Sequence, residues 1–539
     1  MGSCKAFGFI AALLPLLAAS SGHAVSPKTG QGDAASCAGL KGQTVAADTV
    51  IESAEFLPQG GVIGTTQISV PFCRAIGVAT PTSDSHIGFE VWLPPAAGWN
   101  GKFQGIGSGG SAGAISVPQM AGALNAGYAT MSTDNGHRTD TSQKNGGSEQ
   151  TWALGHPEKM VDFAFRALHL STVAAKQVVK NFYSRSNFKT YFVACSQGGH
   201  HALMEASRYP ADYDGMVAGA PAWHWANQMV NATWNSVAGL KDPSALTEKS
   251  AAILNQAVVK ACDKLDGVED GLISDPRRCR FDPATLLCKT QSPAQDCLTQ
   301  VQIDAANRIY QGARKSDGTI IFQGFPRGSE RDWWRMFAGE TPGGSAWHFW
   351  RYSVFQDLNF QNVNFDFDRD TDRGLNAKHA GMTVAEIYNV KPDLSAYRAR
   401  GGKIIIYHGW ADNQVTPYAT LDFYSHITAR EKQAGTDSFL RLFMMPGLGH
   451  CQGGPGAGNI GGASPALSHD PQHDVVAALD AWVTQHKAPT MLIATHLDAD
   501  KKPDRTRPLC MFPREARYKG TGDTNDAANF TCAVPSDIP

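Results

Sequence analysis

In the run Ala194-Cys195-Ser-Gln-Gly-Gly-His200, a serine stands between small residues two positions away on each side, Ala194 and Gly198. Where a strand turns sharply into a helix, only small neighbours at those positions let the turn close, and the turn exposes the serine hydroxyl for attack on an acyl carbon. A hydroxyl is a weak nucleophile until an adjacent base takes its proton. Two later stretches offer the missing groups. Lys403-Ile-Ile-Ile-Tyr407 reads as a strand and runs into His408-Gly-Trp-Ala-Asp412, so an acid sits in the loop at its carboxyl end. Phe439-Leu-Arg-Leu-Phe-Met444 reads as another and runs into Pro446-Gly-Leu-Gly-His450, so a histidine sits in the next such loop. Taken alone, the first stretch also reads as a buried strand ending in an N-capping serine.

The chain order Ser196, Asp412, His450, each following a strand, is that of the α/β-hydrolase triad. In that arrangement His450 takes the serine proton and later delivers one to the leaving alkoxide, while Asp412 fixes the imidazole tautomer and stabilises its charged form. An oxyanion hole needs two N–H donors. One is expected from the amide of Gln197, and the other from Gly109 or Gly110 in the glycine turn that follows the strand ending at Ile106. The cysteine before the serine has a counterpart directly after the histidine, Cys451. If Ser196 and His450 meet, Cys195 and Cys451 come within disulfide range and clamp the nucleophile loop to the base loop. Closing a loop of about 255 residues contributes about 5 kcal/mol in the chain-entropy picture.

These groups need a scaffold. Ile87–Leu93, 99–106, 127–132 and Thr190–Ala194 read as strands, Met160–Tyr183 as a long amphipathic helix and His200–Tyr209 as a helix stopped by Pro210. Alternating strands and helices predict an α/β fold with a largely parallel sheet. From about 221 to about 395 the pattern becomes tryptophan-rich with few clean strands, as in an inserted lid domain, and strands resume at Lys403. The expected organisation is a core in two parts, 25–220 and 396–539, around a lid at 221–395.

With 539 residues and 42% hydrophobic content the chain buries a large core, and a net charge of -2 supplies no field for nucleic acid or an anionic membrane. Lys5, an apolar run from Ala6 to Ala19 and small residues before a cut after Ala24 predict a secretory signal peptide over residues 1–24. About fourteen apolar residues fall short of the ~20 a membrane span requires. Ten of the eleven cysteines remain after the cut, and in an oxidising compartment an even set reads as five disulfides. Spacing alone does not choose among the pairings, although Cys262/Cys279, Cys288/Cys297 and Cys510/Cys532 are natural local candidates. Asp263, Asp266 and Asp270, among turn-forming glycines, suit a hard cation or a solvated acidic turn.

The set Cys195-Ser-Gln-Gly-Gly199, Ala218-Gly-Ala-Pro-Ala222, Thr133-Asp-Asn-Gly-His137, His408-Gly-Trp-Ala-Asp412 and Gly447-Leu-Gly-His-Cys451 closely resembles the tannase and feruloyl esterase family. The resemblance runs over most of the chain beyond the signal segment. It departs at Gln197, where the family often has Thr or Asp and only the backbone N–H is expected to act. The resemblance implies an α/β-hydrolase with an inserted lid and the disulfides Cys37–Cys73, Cys195–Cys451, Cys262–Cys279, Cys288–Cys297 and Cys510–Cys532. It also implies a structural calcium ion in the lid, held by the side chains of Asp263, Asp266 and Asp270 and the carbonyls of Val268 and Leu272. The activity implied is hydrolysis of small-molecule esters of hydroxycinnamic, gallic or related aromatic acids by a secreted enzyme. Arg327, Arg331 and His408 are the candidates for substrate contact. Terephthalate monoesters as substrate, peptidase activity on the same fold and a secreted binding protein without catalysis are the rival readings.

Overall fold

The computed structural model describes residues 1–2, 32–139, 148–289, 296–339 and 342–535. The expected signal segment, apart from its first two residues, lies outside them. A ten-stranded sheet organises the chain. Its strands are β1 (Thr44–Ala46), β2 (Thr49–Leu57), β3 (Phe72–Ala79), β4 (Ile87–Leu93), β5 (Lys102–Ile106), β6 (Ala129–Thr133), β7 (Lys189–Cys195), β8 (Gly215–Gly219), β9 (Lys403–Gly409) and β10 (Leu440–Met445). The spatial order is β1-β2-β3-β4-β6-β5-β7-β8-β9-β10. Pairs from β1 through β4 to β6 are antiparallel, and those from β6 to β10 are parallel. The crossing of β5 and β6 and the parallel half agree with the expected α/β-hydrolase architecture.

The strands that carry the site are buried on both faces, which is why they read as continuous apolar runs. Along β9, Ile404 and Ile406 enter one core cluster and Ile405 and Tyr407 the other, the alternation a pleated strand imposes. Two helices lie close to the chemistry, α1 (Ala167–Tyr183) and α2 (Gln197–Arg208). The helix expected from Met160 is interrupted by a π-helical turn at Asp162–Arg166, where fully buried Asp162 pairs with Arg166. The apolar periodicity does not register that polar contact. The antiparallel strands β1–β3 and the short strand Gly-Met-Val-Ala-Gly of β8 are additional to the sequence expectation.

Between β8 and β9 the chain leaves the sheet through α3 (Trp225–Lys241), α4 (Glu248–Cys262) and α5 (Gln300–Gln311). Leu254, Val258, Ile303, Ile309, Trp333 and Phe337 form a cluster of their own there, whereas Trp223, Trp225, Phe349 and Trp350 join the main core. All five disulfides implied by the resemblance are formed, with Cα–Cα distances from 5.0 to 6.0 Å. No helix among the described residues is long and apolar enough to cross a membrane.

Candidate active site

Ser196 lies between β7 and α2 with φ 64° and ψ -124°. A non-glycine residue in that region stores of order 1–3 kcal/mol, and persists because its surroundings over-determine it. The neighbours explain how. A Cβ on Gly198 would lie 2.5 Å from the Ala194 Cβ, and one on Gly199 2.3 Å from the Gly219 carbonyl oxygen. The Ser196 N–H donates to that same Gly219 carbonyl at 2.9 Å, tying the turn to the end of β8.

His450 closes on this hydroxyl from the loop after β10. Its Nε2 accepts from Ser196 Oγ at 2.8 Å, and its Nδ1 donates to Asp412 Oδ2 at 2.8 Å. Asp412 is fully buried, and its Oδ1 accepts the N–H groups of Gln414 at 2.8 Å and Val415 at 2.9 Å. Burial on its own would raise this carboxyl, but the His450 charge and the hydrogen bonds from His408 and His450 outweigh it and hold the group well below the usual carboxylate range. The Cys195–Cys451 bridge spans 6.0 Å between Cα atoms and joins the residue before the serine to the residue after the histidine. Cys451 itself has φ 64°, so both loops at the clamp carry unusual backbone.

His408 does not face a substrate. It is fully buried behind Asp412, with Nε2 within hydrogen-bond reach of the Val415 carbonyl at 3.0 Å and of Asp412 Oδ2 at 3.1 Å, and with Nδ1 2.7 Å from Thr420 Oγ1. The expectation of substrate contact is therefore corrected: the imidazole at the end of β9 points into the core, where it orients the carboxylate.

The amide of Gln197 heads α2, and among the described residues neither it nor the amides of Gly109 and Gly110 donate a hydrogen bond to another protein group. The glycine turn abuts the elbow, since a Cβ on Gly107 would meet the Gly198 Cα at 3.1 Å and one on Gly198 the Ser108 carbonyl at 2.9 Å. The segment after β6 pins this turn. Asn135 Nδ2 donates to Ser108 Oγ at 2.7 Å and to the Ala112 carbonyl at 3.1 Å, and the His137 ring lies 2.9 Å from the Ser111 carbonyl. The sequence signal for this clamp is Thr133-Asp-Asn-Gly-His137 at a strand end, quoted above only as part of the resemblance.

A cavity of about 890 Å³ reaches His450, with Leu272, Ile273, Met336 and Trp410 among its walls. Both sequence candidates Arg327 and Arg331 line it, joined by Arg335. Arg327 is held by the Phe281 carbonyl at 2.7 Å and lies over the Tyr310 ring, whereas Arg331 is exposed.

In the acidic loop, Asp263 accepts the N–H groups of Asp270 and Gly271, Asp266 accepts that of Val268, and Asp270 pairs with Arg507. The Asp270 carboxyl is pushed up by burial, and Asp266 and Asp263 add to this against the pull of Arg507 and Arg505. The carbonyls of Val268 and Leu272 accept no hydrogen bond among the described residues. The donor set fits a hard cation in kind, with two carbonyls spare, although the carboxylates bind loop N–H groups rather than converge.

A strained serine between a parallel strand and a helix, meeting Asp412 and His450 from the loops after β9 and β10 of the same sheet, defines an α/β-hydrolase, and the chain is a carboxylic ester hydrolase. It belongs to the tannase and feruloyl esterase family, whose model matches residues 73–533. An uncharacterized esterase of Xanthomonas campestris pv. campestris is 36% identical over 544 residues, covering 92% of this chain and 91% of the relative. A probable feruloyl esterase B-1 of Aspergillus terreus is 32% identical over 480 residues, covering 87% of each. Among solved structures, feruloyl esterase B from Aspergillus oryzae superposes with a TM-score of 0.84 at 28% identity, covering 93% of this chain and 100% of that one.

Proposed function

We propose that the chain hydrolyses esters of aromatic acids, feruloyl and related hydroxycinnamoyl or galloyl esters, through an acyl-enzyme on Ser196. The observation that carries this reading is the pair of 2.8 Å contacts joining Ser196, His450 and Asp412 in series. His450 removes the serine proton as Oγ attacks the ester carbonyl, and the resulting imidazolium is stabilised by Asp412. The oxyanion is met by the N–H of Gln197 and one from the turn at Gly109 or Gly110, each worth roughly 2.7–4 kcal/mol of barrier. His450 then protonates the departing alkoxide, and a water deprotonated by the same nitrogen releases the aromatic acid. The cavity beside His450 has the volume and mixed apolar and polar lining of a small-ligand site, roughly 300–1,000 Å³.

One observation favours a second substrate class. Arg331 and Arg335 line the cavity that reaches His450 and are exposed to it, so an ester bearing a carboxylate, such as a terephthalate monoester, finds a partner there. Initial rates on methyl ferulate, methyl gallate and mono(2-hydroxyethyl) terephthalate decide between the two. The reading predicts faster turnover of the first or second, and a preference of about tenfold (1.4 kcal/mol) for the third replaces it.

Calcium belongs to the same proposal as a structural ion. Asp263, Asp266, Asp270 and the carbonyls of Val268 and Leu272 would hold it, and it supplies charge balance to the loop rather than chemistry. Elemental analysis of the purified chain is expected to give one calcium, lost in Asp266→Asn; a chain without calcium rejects the site. Export through cleavage after Ala24 completes the reading, supported by the five disulfides, and a mature N-terminus other than Val25 contradicts it.

A further inference from the structure

The catalytic centre leaves unused a second polar cluster at the other end of α2. Glu205 lies near the last turn of that helix, about 12 Å along its axis from Gln197. It is 1% exposed, neither carboxylate oxygen meets an N–H donor, and the side chain within its reach is another carboxyl, that of Asp212. Facing it are Asp212, 5% exposed in the turn after α2, and His169 on α1, whose Nδ1 lies 2.6 Å from Asp212 Oδ2. One donor atom from each of the three falls within 4.8 Å of the other two. The His169 ring stacks on Tyr209 at 3.7 Å, which fixes its plane, while a quarter of the side chain remains open to solvent. Lys176, the cation beside them, donates to the carbonyls of Ala211 and Asp212 rather than to either carboxylate.

Burying a carboxylate without partners is costly, and two facing each other cost more. Each such group in a native structure needs a reason. One imidazole and two carboxylates, drawn from two helices and a turn, with solvent access on the imidazole side, make a three-ligand set that leaves a fourth position for water. A donor set of one nitrogen and two oxygens suits Zn²⁺ better than the oxygen-only cations, because imidazole is a borderline ligand. We propose that His169, Glu205 and Asp212 form a zinc site that staples the far end of the nucleophile helix α2 to α1. It is separate from the triad and from the acidic loop, and does not depend on the reading of the substrate.

Calorimetric titration of the chelator-treated full chain with Zn²⁺ tests it, with Ca²⁺ added throughout to fill the acidic loop. The expected result is one saturable zinc per chain, a rise in Tm on zinc addition, and a loss of affinity of about tenfold or more in both Glu205→Gln and His169→Gln. Ester hydrolysis is not the readout. Because a buried substitution can disturb folding, the partly exposed His169→Gln carries the test if Glu205→Gln does not fold. Zinc bound equally by both variants sits on other histidines and overturns the site. So does the absence of saturable binding, or a parent chain whose Tm zinc does not move, since the two carboxyls would then simply share a proton.

Discussion

Asp412 presents a single oxygen, Oδ2, to two imidazoles, His450 in front and His408 behind. For the proposed triad, the second contact makes His408 a positioning residue. A hydrogen bond to a charged group is worth about 1.5–3 kcal/mol. At 1.36 kcal/mol per decade, His408→Asn is expected to lower kcat by about ten- to a hundredfold with KM nearly unchanged. Steady-state kinetics check this, and an unchanged kcat removes His408 from the account. Asp134, at the end of β6, makes a different prediction. Burial raises its carboxyl to about 7, against the hydrogen bonds it accepts from Gly136 and Gly88. The folded chain therefore keeps a proton that the unfolded chain loses near pH 4, so this group makes stability fall as pH rises from about 4 to about 7. Asp134→Asn retains the acceptor oxygen and is expected to flatten that part of the Tm-versus-pH curve; an identical slope in the variant contradicts the assignment.

Among the elements, the elbow and the base loop were the most legible, because their chemistry sits at strand ends with local signatures. Ala194 and Gly198 announced a tight turn, and a Cβ at Gly198 has no room. The clamp between them predicts that Cys195→Ala combined with Cys451→Ala lowers both activity and stability. The chain-entropy bound for so long a loop is about 5 kcal/mol, and the measured loss of stability should fall at or below it. Full activity in the double variant would mean that packing alone holds His450 on Ser196. What pins the glycine turn was less legible, since Asn135 with two hydrogen bonds and His137 with one act on loop atoms remote in the chain, and no periodicity encodes those.

At the scale of the whole molecule, the parallel half of the sheet, β8 apart, was readable from its doubly buried apolar strands, whereas β1–β3 were not. Residues 49–57 alternate imperfectly across a bulge in the pairing with β3, so their period is broken. The insertion after β8 was readable as a change of texture, but not that its first tryptophans would fuse with the main core while its middle built a separate one. His408 was misread because strand ends look alike in sequence whether the side chain faces the cleft or the core. The account as a whole rests on Ser196 being the atom that carries the acyl group. Mass spectrometry of the intact and digested chain after reaction with a fluorophosphonate tests this most directly. One adduct per chain on the peptide containing Ser196, absent in a folded Ser196→Ala variant that has lost turnover, is the predicted result; ester hydrolysis by a chain that stays unlabelled, or by the Ser196→Ala variant, would contradict it.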